Sequence, residues 1–145
     1  MKGYNVIMVF DQPGERVLMC RRRTAPYQGL INFVGGKIEP GEDGLTAAYR
    51  ELWEETGVTG QDIVLTHFMD SAYRLDEYYL EIYVGQLNKE VAAFGTENPL
   101  LWMTLPQNFF DIQRFAGNGL LGHAMLHIYA AGEQLGLNLK GELTE

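Results

Sequence analysis

Residues Gly36–Val58 read GKIEPGEDGLTAAYRELWEETGV, and the second half of that stretch carries Glu51, Glu54 and Glu55 on a helical pattern. At 3.6 residues per turn, positions i, i+3 and i+4 share one face, with Cβ atoms roughly 5–6 Å apart. Like charges at this spacing oppose helix formation by a few tenths of a kcal/mol per pair. Three carboxylates on one face therefore call for counter-charge. Arg50 supplies one cation, and a hard divalent cation, which prefers several oxygen ligands, would supply the rest.

The opposite side of the same helix is apolar: Leu45, Ala48, Tyr49 and Leu52 recur at helical spacing and predict the face that packs on a core. Upstream, Glu39-Pro40-Gly41-Glu42 predicts a type II turn, because Pro fixes φ at its second position and Gly accepts φ > 0 at its third. Asp43 is the expected N-cap. Gly35-Gly36 lets backbone approach a ligand closely, and Lys37 places a cation beside it.

The order of these residues matters as much as their chemistry. Gly36, five residues, Glu42, seven residues, Arg50-Glu51-Leu52, one residue, Glu54-Glu55, one residue, Gly57-Val58 resembles a complete Nudix box. The resemblance implies an α/β/α sandwich on a mixed β-sheet and hydrolysis of a nucleoside diphosphate linked to another group. It also implies Mg²⁺, with Mn²⁺ as a substitute, held by Glu51, Glu54 and Glu55 near Glu42 and the Gly36 carbonyl. Arg50 would orient the glutamates. The water-activating base stays open between Glu54 and Glu97; Glu97 falls five residues before Trp102, where related nucleotide hydrolases hold a further acidic metal or base residue.

Composition narrows the class. The chain has 145 residues, 46% of them hydrophobic, which fits a single domain with its own core. No apolar run reaches the roughly 18 residues of a membrane span, and Met1-Lys2-Gly3 leads into an apolar strand rather than a signal peptide. A lone Cys20 cannot form an internal disulfide, so a reducing cytoplasm is the expected location. The net charge of −8 disfavours nucleic acid as a partner, since that binding rests on phosphate neutralisation. A small phosphorylated ligand remains compatible, because a metal and a few local cations reverse the field inside a cleft.

Along the chain, Tyr4–Phe10 (YNVIMVF) is apolar on both alternating faces and predicts a strand covered on both sides. A turn at Asp11–Gly14 and a returning strand Arg16–Arg22 follow. Arg21, Arg22 and Arg23 cannot all reach one site from a strand, and Arg22 is the candidate for substrate contact. Ile31–Val34 leads into the glycine pair. Further strands are expected at Asp62–Met69, Tyr78–Leu87 and Leu100–Thr104, with Asp70–Glu77 as a polar connection. Gly119–Leu135 predicts a closing amphipathic helix, and the residues after Asn138 a polar tail. His123 and His127 lie at i, i+4 but lack the intervening Glu of a zinc-protease helix, so packing is the expected role. Trp102 is expected in the core, and Phe109, Phe110 and Phe115 either there or walling a base pocket by stacking.

Two more residues enter through the family resemblance. In the branch that acts on oxidised purine nucleoside triphosphates, an Asn four residues before the box glycine bonds the base, which here is Asn32; an amide both donates and accepts. Some dinucleoside polyphosphate hydrolases keep a Tyr where Tyr73 stands. The expected partner is therefore a small nucleotide, with no membrane, and the strand-rich surface is compatible with a homodimer. Two other readings are a nucleotide-sensing module that does not cleave, against which the intact box argues, and an RNA 5′-end pyrophosphohydrolase, against which the net charge argues.

Overall fold

The computed structural model describes residues 1–95 and 97–141. Its elements in chain order are β1 (Lys2–Phe10), β2 (Arg16–Arg21), β3 (Ile31–Phe33), β4 (Lys37–Ile38), α1 (Gly44–Thr56), β5 (Thr66–Tyr73), β6 (Tyr78–Gln86), β7 (Leu100–Thr104) and α2 (Leu120–Ala131). The sheet runs β3-β2-β1-β6-β5, with β4 added to β1 and β7 to β2. β1 pairs in parallel with β6 from Lys2↔Tyr78 to Phe10↔Gln86, while its other neighbours are antiparallel, so the sheet is mixed.

Alternation along β1 sorts the core into two layers. Val6, Met8 and Phe10 pack with Leu121, Met125 and Ile128 of α2. Ile7 and Val9 pack on the other face with Ala48 and Leu52 of α1. One helix thus covers each face of the sheet, the α/β/α sandwich expected from the sequence. β1 is buried on both sides for the reason its sequence suggests: neither alternating set is polar enough to face water.

α1 is held at both ends. Asp43 accepts from the Thr46 N–H at 3.2 Å, and Gly57 takes the left-handed conformation (φ 78°) while its N–H donates to the Trp53 carbonyl at 2.9 Å. The Pro40-Gly41 turn also forms, with Gly41 at φ 77° and the Glu42 N–H donating to the Glu39 carbonyl. One position on the packing face differs from expectation. Leu45, in the first turn, is exposed, and Ala47 is buried beside Ala48 instead.

Several boundaries also move. The strand expected at Asp62–Met69 begins only at Thr66, because Asp62 accepts from the Thr59 N–H and hydroxyl and closes a turn. Ile63 and Leu65 still enter the core, and the Leu65 N–H donates to the Tyr49 hydroxyl rather than to a strand. The expected connection Asp70–Glu77 shrinks to four residues, since β5 continues to Tyr73↔Tyr78. β5 is an edge strand with one open side, so polar residues such as Asp70 and Ser71 do not end it. α2 stops at Ala131, but Leu135, Leu137 and Leu139 still pack on the core. The start of the expected tail is docked: the Asn138 N–H donates to Gln86 and the Lys140 N–H to Gly14. Residues 142–145 lie outside the described residues. Trp102 is half-buried with the Arg16 guanidinium over its ring, and Phe110 is exposed, whereas Phe109 and Phe115 are core.

Candidate active site

Arg50 is the hub of the acidic helix. Its Nε and Nη2 grip the two oxygens of Glu42 at 2.7 and 2.9 Å, its Nη1 reaches Glu51 and Glu54 at 3.1 Å each, and its Nη2 also donates to the Lys37 carbonyl. Those five bonds match the five N–H donors of a guanidinium, so the side chain is fully committed. The ion pair pulls Glu42 down to about 2, chiefly through the Arg50 hydrogen bonds. Arg50 itself is pushed up by the same partner.

Glu51 and Glu55 shift in the opposite direction to Glu42. Burial, ahead of the neighbouring carboxylates, raises Glu51 in spite of Arg50. Glu55 is raised to about 7, first by burial and then by the Glu51 carboxylate, with Glu97 adding and the Gly35 N–H and Arg22 opposing. Glu51 turns its second oxygen toward Gly36, and a Cβ at Gly36 would collide with that carboxylate. Gly35 has φ 150°, and a Cβ there would strike the Asn5 carbonyl. The glycine pair is therefore required by close approach on both sides. Glu51, Glu54 and Glu55 form an all-oxygen set, the donor chemistry that suits a hard divalent cation. The Gly36 carbonyl already accepts from the Asn5 N–H at 2.8 Å, which leaves it one further lone pair.

Beside this face lies a cavity of about 400 Å³. Its lining draws on strands that diverge. β1 and β2 meet at Phe10↔Val17, after which β1 pairs with β4 (Tyr4↔Lys37) and β2 with β3 (Cys20↔Asn32). On the α1 side the cavity is lined by Asn5, Cys20, Arg22, Asn32, the glycine pair and Glu55; on the α2 side by Tyr4, Val6, Phe33, Leu80, Leu120 and Leu121. Tyr73 and Tyr78 stack at the rim with centroids 4.6 Å apart, and Tyr4 meets Tyr78 edge-on at 6.1 Å.

The sequence-predicted residues fall into two groups. Asn32, Arg22 and Tyr73 line the cavity together with Glu55. The Asn32 carbonyl oxygen accepts from the Phe33 N–H, which turns its amino group away from its own backbone, and Arg22 is braced on the Pro26 carbonyl. Glu54 and Glu97 are exposed outside the lining, Glu97 close enough to raise Glu51 and Glu55. Lys37 contributes its carbonyl to Arg50, while its side chain is exposed and outside the lining.

Asn5, Tyr4, Tyr27 and Tyr78 were not singled out from sequence. A signal for Asn5 existed: it is the one amide inside an otherwise apolar strand. Cys20 reaches the cavity but is held near 11, by burial first, so its thiol is inert. His67, Asp70 and Glu81 form a separate cluster by the N-terminus of α1, their ligand atoms within 4.8 Å of one another. They are already satisfied locally, His67 by Asp70 and Glu81 by the Tyr83 hydroxyl. His123 and His127 touch edge-on and are exposed. No helix among the described residues is long and apolar enough to cross a membrane.

A mixed sheet between two helices, with a glycine loop feeding an arginine-braced acidic helix, defines a Nudix-type domain. The NUDIX domain family model matches residues 1–132, and the chain belongs to that family, which generally uses divalent metal ions and whose hydrolases act on small nucleotides. Over 117 residues it is 30% identical to the Bacillus subtilis protein named "Putative 8-oxo-dGTP diphosphatase YtkD", covering 76% of this chain and 69% of that one. It is 35% identical over 77 residues to mouse nucleoside diphosphate-linked moiety X motif 6, covering 50% of this chain. The chain spans 24% of the mouse protein's length and 13% of that of the Arabidopsis thaliana Nudix hydrolase 19, chloroplastic. Among solved structures, a C. elegans Ap4A hydrolase complex superposes with a TM-score of 0.69 at 18% identity, over 90% of this chain and 99% of that one. The E. coli ORF135 protein gives 0.62 at 22%, over 90% and 94%. At these identities the likeness shows the fold.

Proposed function

We propose that this chain is a Mg²⁺-dependent pyrophosphohydrolase of nucleoside triphosphates, oxidised purine nucleotides included, releasing a nucleoside monophosphate. The observation that carries this reading is Glu55, which belongs to the acidic face of α1 and also lines the aromatic cavity. Phosphate-side and base-side chemistry thus meet at one residue. Glu51, Glu54 and Glu55 would hold the ion, which when bound offsets the charge of the phosphoryl oxygens and makes phosphorus open to attack by water. Arg50 keeps the glutamates in position. Arg22 faces the phosphate chain, and the Asn32 amide faces the base. Water adds across the anhydride bridge, and its proton goes to Glu54 or Glu97.

A second reading rests on the stacked Tyr73–Tyr78 pair, which offers a π surface for another base, and on the fold shared with the C. elegans Ap4A hydrolase. In that case the substrate is a dinucleoside polyphosphate. One experiment separates the two: incubate the protein and Mg²⁺ with nucleoside triphosphates, oxidised purine triphosphates and dinucleoside polyphosphates, and resolve products by mass. Monophosphate plus pyrophosphate from the triphosphates supports the first reading. Cleavage of the dinucleotides alone supports the second, and no cleavage of any member rejects both.

A further inference from the structure

We infer that the side-chain amino group of Asn5 donates a hydrogen bond to an oxygen on the nucleoside monophosphate half of the substrate, an inference that rests on the reading above. Asn5 is 3% exposed and sits on β1 with its side chain on the α1 side of the sheet. Its amide orientation is set by its neighbour. The Gly36 N–H donates to Asn5 at 2.9 Å, and a backbone N–H can pair only with the amide oxygen. The Nδ2 therefore points the other way, and it finds no acceptor among the described residues. A buried amide donor left unmatched is costly, so a protein that retains one in a cavity wall has a use for it.

The position says which half of the ligand it meets. Glu51 and Glu54 lie outside the cavity lining, whereas Glu55 belongs to it. Asn5 lines the same cavity as Glu55, together with Tyr4 and Phe33. The part of the substrate inside is the nucleoside monophosphate, and the part outside is the leaving phosphate chain. A neutral NH₂ group suits a phosphoryl or ribose oxygen on that inner half. Asn5 also explains why the two asparagines differ in sequence context: Asn32 is in a loop-flanked strand, whereas Asn5 interrupts a fully covered one.

The test compares wild type with Asn5→Asp, which keeps an oxygen for the Gly36 N–H but removes the donor, and with Asn5→Val, which removes the donor and adds no charge. Inhibition by a nucleoside monophosphate is measured beside inhibition by inorganic pyrophosphate. Expected is a roughly tenfold weaker monophosphate inhibition in both variants, the worth of one hydrogen bond to a charged or polar acceptor, with pyrophosphate inhibition unchanged. Unchanged monophosphate inhibition in folded variants overturns the assignment, as does an equal loss for pyrophosphate. Should the variants not fold, the side-chain NH₂ resonances of Asn5 in the wild-type protein are followed while monophosphate is added. A shift with monophosphate and none with pyrophosphate supports the inference; no shift overturns it. The NH₂ titration needs no turnover, so a wild-type protein that binds monophosphate but cleaves no triphosphate would sink the proposed activity while leaving Asn5 to be judged by that titration alone.

Discussion

Arg50 and Glu42 are joined by two parallel hydrogen bonds, Nε to Oε2 at 2.7 Å and Nη2 to Oε1 at 2.9 Å, across the turn that leads into α1. The pair ties the glycine loop to the helix, and the third guanidinium nitrogen is then aimed at Glu51 and Glu54. Lysine offers a point charge without the fork. Arg50→Lys is therefore expected to lower activity by about 10–100-fold, the usual cost of losing a partner that orients metal-binding carboxylates. A Mg²⁺ titration of kcat/KM checks this. A variant with wild-type activity at every Mg²⁺ concentration would show that the fork has no such part.

Substituting the carboxylates themselves should be harsher. Glu54→Gln and Glu55→Gln preserve shape and remove charge, so each is expected to keep the fold while turnover falls by roughly 10²-fold or more. Circular dichroism and steady-state kinetics on the same samples separate the two effects. Activity should also vanish in excess chelator and return with Mg²⁺. Unchanged kcat in both variants would reject the metal assignment.

How much of this was legible in the chain follows from what local sequence can encode. The caps at Asp43 and Gly57, the Pro40-Gly41 turn and the carboxylate face are set by residues a few positions apart, and their spacing is visible in one dimension. The doubly covered β1 was equally plain, since both alternating sets are apolar. The cavity was not, because its lining is gathered from strands, loops and both helices far apart in the chain. Pairing choices that bring them together depend on residues dozens of positions away. Asn32 and Tyr73 could be named from family spacing and Arg22 from the basic end of β2, but Tyr4, Tyr78 and Asn5 reach the same space only through the register of β1 with β6. The late start of β5 shows the converse limit, where a single Asp62 turn overrides an apolar run.

A pH-dependent element sits far from this site, in the β1–β2 turn. Asp11 is 4% exposed and accepts from the Glu15 and Arg16 N–H groups at 2.8 and 3.0 Å and from Arg16 Nε at 2.8 Å. Burial pushes its carboxyl up, but the Arg16 and Glu15 hydrogen bonds outweigh it and the value lies below the ordinary 3.8. A depressed folded-state value means that the carboxylate's contribution is complete above 3.8 and is lost as pH falls through the lower folded value. Urea midpoints measured from neutral pH into that acid range should therefore drop in the wild type. The gap between wild type and Asp11→Asn should narrow over the same interval. A gap that stays constant with pH would remove Asp11 from the account.

Tyr73 and Tyr78 stand at the cavity rim with rings 4.6 Å apart and 16° from parallel, and Tyr4 closes the group edge-on. Tyr73 is the end residue of β5, at the hairpin turn, so its truncation removes a ring face without opening the main core. Aromatic pairs contribute about 0.5–1.5 kcal/mol beyond their buried area. If a base lies on this surface, Tyr73→Ala should raise KM by about 2- to 12-fold with little change in kcat, because stacking is the same in ground and transition states. Tyr73→Phe should keep the wild-type KM, since the ring is retained and only the hydroxyl is lost. The same pair of variants bears on which substrate the rim serves. A KM increase confined to dinucleoside polyphosphates places a second base on the rim, whereas an equal increase for triphosphates places the first base there. No change for either substrate, with the fold intact, would leave the tyrosines as part of the hairpin and nothing more.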